Sequence, residues 1–405
     1  MKTVKLSRTL TAVLALLLAL CLSLPLTACG GENPTETATG AGSETVTEAA
    51  RDTDTATGQT VDKNLNVNVA VLSGTTGFGM AQLMEQSSKG ASALKYTFRV
   101  ESDASNILPA LLNGSVDIAA LPTNAAANLY SKKAGAVQVL AVNTLGVLYV
   151  VTGDGVSVSS FEDLKGKTVY CPAQNPTFIF TALCRKNGLE PGKDITIDNT
   201  YAQPAELRTV LAAGKVDIAV LPEPMVTIAR SANDKLTAAL DLTAAWSAAF
   251  GESAALAQGC VVVRTAFAEA HPAEVAAFLA EYEASVKFVM ENPAEAGTMI
   301  EAQGIFAKGA VAAKAIPHCN LCFITGQEMA DKLTSFYTTL FGVAPASIGG
   351  AQGHSLGPAV DEVGLRLFRQ LTVPEVPAAL VHPQQLGNSQ PPHPADDHHV
   401  QPAVG

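Results

Sequence analysis

Seven short polar side chains stand where helices are expected to begin: Thr75 and Thr76 after the strand-like LNVNVAVL, Thr123 and Asn124 after VDIAALP, and Gln174, Asn175 and Thr177 after KTVYC. The first N–H groups of a helix lack intrahelical partners and sit at the positive end of its dipole, so such positions gather carboxylate, sulfonate or phosphate oxygens. The same residue types also cap helices, and for any single one capping serves as well as ligand contact. As a converging set they weigh more toward ligand contact than any one of them does alone. Other chemistry finds less material, because no Ser-His-Asp order and no metal-ligand spacing appears. Cys319-Asn-Leu-Cys322 has redox spacing, yet a working dithiol wants a helix N-terminus after its first cysteine. Here the next helix is expected after Thr325 or Gly326, which favours structural cysteines; a 319–322 bridge is compatible with the spacing. His271 begins a helix and His318 neighbours Cys319, and neither is expected in a ligand-facing loop.

Those side chains depend on elements that the chain writes twice. VDIAALP (116–122) returns as VDIAVLP (216–222), and each is a short apolar run suited to a strand buried on both faces. The first copy follows SNILPALLNGS, where Asn106 is expected to cap a helix with Pro109 at its third position and Gly114 at its stop. The second follows QPAELRTVLAAGK, with Gln203 before Pro204 at the first helical position and Gly214 at the stop. In the first half LNVNVAVL reads as a strand, GFGMAQLMEQSSK as a helix, LKYTFRVES as a strand and NAAANLYSKK as a helix. In the second KTVYC, TFIFTALCRKN, KDITIDNT and MVTIARSA take the corresponding places.

The order β-α-β-α-β-α therefore occurs twice, and the expected fold is α/β and two-lobed. Each lobe is a mainly parallel sheet flanked by helices, with the loops after its strands gathered at the carboxyl edge where open α/β sheets bind ligands. Residues 137–154 and 259–267 read as two long strands crossing in opposite directions, a two-strand hinge. From His271 onward the pattern is helical, with Val275, Phe278, Leu279, Tyr282, Val286 and Val289 on one face directed at the first lobe.

A formal charge of −11 without a basic run excludes phosphate-backbone binding, so no nucleic-acid partner is expected. Lys2, Lys5 and Arg8 precede an apolar run too short to span a membrane and closed by Pro25, the form of an export signal. Residues 30–63 contain no Leu, Ile, Phe, Met, Tyr or Trp and are expected to remain a disordered tether. Five of the seven histidines and eight of the 22 prolines fall in residues 351–405, which have no lysine. This discordant tail is expected to be disordered; HPADDHH within it is the alternative, a weak metal-binding tract.

LTAC at 26–29 looks like a lipobox, in which Cys29 is lipidated and becomes the mature N-terminus. DLKGKTV (163–169), LPTNAAANLY (121–130), LPEPMVTIA (221–229), the HP-initiated helix at 271 and IPHCNLCFITG (316–326) resemble the substrate-binding lipoproteins of ABC importers, in the nitrate, sulfonate, taurine and thiamine-precursor branch. The resemblance covers about residues 64–350 and implies the type II periplasmic-binding fold. Its implied organisation is a signal peptide (1–28), a tether (29–63), lobe 1 (64–146 and 256–350), lobe 2 (147–255) and the tail (351–405). It implies a monomer outside the cytoplasm, held to the membrane through a lipid on Cys29, that passes a small-molecule solute to an ABC permease and ATPase, without a cofactor or resident metal.

Carried over to this sequence, the family's ligand-contacting loops fall on SGTTG, PTN, AQNPT and PEP. They give Gly74, Thr75, Thr76, Thr123, Asn124, Gln174, Asn175, Thr177 and Glu223 as ligand-binding residues, with no catalytic residue. Glu223 either faces the ligand, where it would favour an ammonium or ring amine and hence a polar or zwitterionic solute, or points away. Phe78, Phe178, Tyr130, Tyr201 and the single Trp246 are aromatic candidates, of which Trp246 could reach the hinge or cleft. Two alternatives stand beside transport. One is an enzyme like the thiamine-pyrimidine synthases, which share the fold and use iron with a cleft His and Lys. The other is a surface sensor or adhesin.

Overall fold

The computed structural model describes residues 61–251 and 254–350, and the expectations placed on Cys29, on the tether up to residue 60 and on the tail lie outside them. The last three tether residues are ordered, contrary to expectation: Val61 packs against the first-sheet core and Asp62 N donates to the buried Glu274 carboxylate at 2.7 Å. The first sheet contains β1 (Asn66–Leu72), β2 (Lys95–Glu101), β3 (Ile118–Pro122), β4 (Val137–Thr144), β10 (Gly259–Arg264) and β11 (Leu321–Ile324), in the order β11-β4-β10-β3-β1-β2. The second contains β5 (Leu148–Thr152), β6 (Thr168–Tyr170), β7 (Thr196–Asp198), β8 (Ile218–Pro222) and β9 (Thr237–Asp241), in the order β7-β6-β8-β5-β9. The repeated heptads become β3 and β8, with the same burial along both strands.

The expected β-α-β units supply the parallel pairs, β1 with β2 and β3, and β6 with β7 and β8. The other pairs are antiparallel: β10 with β3 and β4, β11 with β4, and β5 with β8 and β9. The sheets are thus mixed rather than mainly parallel. The reversed strands include β5, entering the second lobe, and β10, returning to the first; each passes between or beside strands of the lobe it joins.

Between the first strands lie α1 (Thr75–Phe78), α2 (Ala81–Ser88), α3 (Ala104–Asn113) and α4 (Thr123–Lys132). The single helix expected over 77–89 starts earlier and breaks at Gly79 and Met80. Ser285, fully buried, closes the break: its hydroxyl donates to Gly79 O at 2.6 Å and accepts from Leu83 N at 3.0 Å, pairing groups the interruption exposes. Helix α3 is capped by Asp103, whose carboxylate accepts from Ser105 N at 2.7 Å, not by Asn106. The earlier start puts Pro109 in the helix interior, and Asn106 instead donates to Glu101.

In the second lobe α5 (Asn175–Lys186), α6 (Pro204–Ala212), α7 (Met225–Ala232) and α8 (Leu242–Phe250) follow the expected order, and Gln203 and Pro204 start α6 as the sequence indicates. The remaining helices are α9 (Thr265–Ala270), α10 (Pro272–Glu291), α11 (Pro293–Ala302), α12 (Gly309–Ala315) and α13 (Gly326–Val343). On α10 the buried face is Val275, Phe278, Tyr282, Val286 and Val289, packed with Val69, Val71 and Val261 of the first sheet, while Leu279 is half-buried. Helix α13 buries Leu333, Phe336, Tyr337 and Leu340 in a core that includes Val139 and Val142 from the first sheet and Ile179, Leu183 and Trp246 from the second lobe. Among the described residues no helix is long and apolar enough to cross a membrane.

The crossings are bends, not continuous strands. β4 ends at Thr144 and β5 starts at Leu148, while β10 pairs only in the first sheet. Gly146 lies in the gap, where a methyl group would collide with Thr243 and Leu256, so glycine is required by close approach. Asn320 holds the bend from the first lobe: its carbonyl accepts from Leu145 N at 3.0 Å and its Nδ2 donates to Gly146 O at 2.6 Å.

Candidate functional site

The loops after the strands of both sheets meet at the lobe boundary. Thr75, at the start of α1, reaches across it, and its Oγ1 donates to the carbonyl of Glu223, which follows β8, at 3.0 Å. Both residues are buried, 8% and 5% exposed. The Cys319 thiol lies 3.9 Å from Thr75 Oγ1. A second crossing bond runs from Tyr149 Oη on β5 to the carbonyl of His318, at 3.1 Å.

Thr123 and Glu223 approach the same crossing from opposite lobes. Thr123 N donates to Gln258 O at 3.1 Å and Glu223 N to Val147 O at 2.9 Å; Val147 N in turn donates to Gln258 Oε1 at 2.7 Å. The Thr123 hydroxyl donates to Ala257 O at 2.7 Å and is fully buried, so it braces the pivot and is not presented to the cleft.

Two hollows open along the boundary. The hinge-side hollow, about 390 Å³, is walled by Tyr149, Glu223, Arg230 and Asp234 from the second lobe and by Lys314 and His318 from the first. The mouth-side hollow, about 270 Å³, lies between Asp103 of the first lobe and Gln174 and Gln203 of the second. The residues expected as one set therefore divide, with Glu223 in one hollow and Gln174 in the other.

Gln174 holds a left-handed φ of 67°, and Asn175 Oδ1 is buried without a hydrogen-bond partner among the described residues. Thr177 ties its own loop, its hydroxyl donating to Pro172 O at 2.7 Å and accepting from Asn199 Nδ2 at 2.7 Å. Thr76 and Asn124 are half-buried and offer their carbonyls to Asn143 and Asn128, each at 3.0 Å. Gly74 turns the chain into α1 at φ 92° and donates its N–H to Ile305 O at 3.0 Å.

Glu223 accepts at both oxygens from Thr227, at 3.1 Å from its N–H and 3.0 Å from its hydroxyl. Burial raises its pKa above the ordinary carboxylate value, opposed by those two bonds and by the nearby His318 and Arg230. Burial also raises the Tyr149 phenol, with Asp241, Glu223 and Cys319 adding to it. Cys319 and Cys322 are free thiols, with no bridge between them. Burial pushes Cys319 well up, helped by Glu223, and Cys322 up to about 12, so neither is a ready nucleophile.

His318 lies at the boundary, contrary to the expectation that it stays away from ligand-facing loops. A short 3-10 turn over Ile316–His318 follows α12 and carries it there. Arg230, Asp234, Lys314 and Tyr149 are also wall residues that the sequence reading did not single out, because their convergence depends on α7 and α12 meeting across the two lobes. Trp246, a ligand candidate by sequence, is fully buried between Phe250 of its own helix and Phe336 of α13, at ring-centroid distances of 4.4 and 5.7 Å. It belongs to the interlobe core. Among the described residues no group of three or more His, Cys, Asp or Glu is placed to hold a metal ion.

A family model described as NMT1/THI5 like matches residues 91–296. Among solved structures, an ABC transporter from Parabacteroides distasonis superposes with a TM-score of 0.60 at 23% identity, covering 73% of this chain and 98% of that one. The periplasmic aliphatic sulphonate binding protein of Escherichia coli superposes at 0.57 and 15%, covering 72% and 95%. A putative periplasmic sulfonate-binding protein from Methylobacillus flagellatus does so at 0.53 and 18%, covering 78% and 98%. At these identities the likeness is one of fold, the two-lobed type II periplasmic-binding architecture. No curated protein matches the chain.

Proposed function

The chain belongs to the NMT1/THI5-like family, and from that footing we propose that it is the extracytoplasmic solute-binding component of an ABC importer. It captures a small polar or zwitterionic solute at the lobe boundary and delivers it to a permease and ATPase. The observation that carries this reading is the Thr75–Glu223 bond: two lobes joined at the chain crossings and through the core around α13 also touch through strand-end loops, with hollows open beside the contact. Opening and closing about Gly146 and the 254–258 return would expose and seal those hollows. The buried Glu223 carboxylate favours a solute carrying an ammonium or ring amine.

Thermal unfolding of the purified chain across nitrate, alkanesulfonates, taurine and aminopyrimidines tests the reading. A ligand specific to the folded state at 100 times its Kd adds about 2.7 kcal/mol. One class should raise the midpoint saturably; no shift from any small polar solute contradicts solute binding.

The anchor is part of the proposal and rests on LTAC alone. Cys29→Ala should move the protein from the detergent phase to the aqueous phase; unchanged partitioning would remove the lipid. The enzymatic alternative has one observation in its favour, the meeting of Lys314 and His318 in a single hollow. Binding without iron chemistry predicts far less than one iron per purified chain, and stoichiometric iron would transfer support to the enzyme.

A further inference from the structure

We propose that the hinge-side hollow is the solute site and that it takes a compact amino acid-like zwitterion, its acid group on the first lobe and its ammonium on the second. The proposal rests on the solute-binding reading above and commits it to one place and one polarity. Arg230, Asp234, Lys314 and His318, all exposed to solvent, border the hollow with no ion pair or side-chain hydrogen bond among the described residues. The carboxylate of the buried Glu223 beside them is hydrogen-bonded only to Thr227, four residues on. Charged groups from two bodies that line one hollow without pairing are available to a third partner.

Their distribution sets its polarity. The first lobe contributes only basic groups, Lys314 and His318. The second contributes both acids, Glu223 and Asp234, with Arg230 between them in sequence. An anion alone would meet the acids of the second lobe, and a cation alone the bases of the first. A molecule with both charges satisfies both walls and ties one lobe to the other, which converts binding energy into closure. The volume, about 390 Å³, lies within the range of small-ligand pockets, with room for a short chain between the charges.

The hollow also adjoins the moving parts. Tyr149 on its wall makes a crossing bond to His318 O, and the Glu223 backbone accepts another, from Thr75. A ligand here would act on both contacts, whereas one at the mouth-side hollow, beside Asp103 and Gln174, would touch neither.

The test is isothermal titration of the full chain with the ω-amino carboxylates from glycine to 6-aminohexanoate and with taurine, beside alkylamines, carboxylates and alkanesulfonates of matched length. The expected result is saturable binding of at least one zwitterion, weakened about tenfold or more in each matched mono-ion. Lys314→Glu and Glu223→Gln should each weaken the zwitterion by about tenfold or more. Arg185→Ala, an exposed pair with Glu190 away from the boundary, should leave it unchanged. Unfolding midpoints of the free variants separate lost binding from lost folding. Saturable binding of a simple sulfonate that survives Lys314→Glu but not Gln174→Ala would overturn the hollow and its polarity while leaving solute binding intact. Failure of every solute, mono-ions included, would overturn both.

Discussion

The burial of Glu223 and the ligand contact proposed for it can be separated at the bench. Its folded-state pKa is raised, so the stability linked to its protonation is present at low pH and is lost as pH rises through the folded value. Glu223→Gln retains an acceptor for Thr227 and has no charge to bury. Its unfolding free energy relative to the parent should therefore increase as pH rises from about 4 toward neutrality, whereas parallel pH profiles would mean the carboxyl is not desolvated. Thr75 offers a simpler test. Thr75→Val keeps the shape, removes the donor to the buried Glu223 carbonyl and should cost about 1–2 kcal/mol in denaturant unfolding. A change below about 0.3 kcal/mol would mean that the cross-lobe bond contributes nothing in solution.

At the scale of elements, the twice-written heptad gives the same strand but different duties to the same residue. Asp117 is buried, accepts from Asn68 N at 3.0 Å and pairs with Arg264 at 2.8 Å, so it fastens β3 to both β1 and β10. Its counterpart Asp217 is exposed and uses its backbone carbonyl to receive Gly153 N at 2.8 Å. Asp117→Ala should cost about 3 kcal/mol, leaving a partly buried arginine unpaired, while Asp217→Ala should stay within about 0.5 kcal/mol. Equal effects in urea would show that the pairing is not what distinguishes them. The strands and most helices were legible because local signals set them: apolar runs for β3 and β8, Pro204 and Gly214 for the ends of α6. The breaks were not, because Ser285 entering between Gly79 and Leu83, and Asn320 gripping the bend at Gly146, come from distant chain. The candidate site was legible in part for the same reason. Helix-start residues announce themselves, but Lys314 and His318 reach the boundary only through the packing of α12.

Residues 61–350 form two lobes joined at the crossings around Gly146 and 254–258, with α13 seated against both. The single tryptophan stands in that shared core, Trp246 against Phe336, so relative motion of the lobes should change its surroundings even though it touches no solute. Trp246 emission should shift saturably with solute, at the same midpoint as calorimetry; a shift that persists in a variant unable to bind would make it nonspecific. The most direct measurement is small-angle X-ray scattering of the full chain with each solute at saturation. Closure about Gly146 predicts a smaller radius of gyration for one solute class, with one-to-one stoichiometry. A radius unchanged by every solute that calorimetry shows to be bound would contradict the two-lobed clasp on which this account rests.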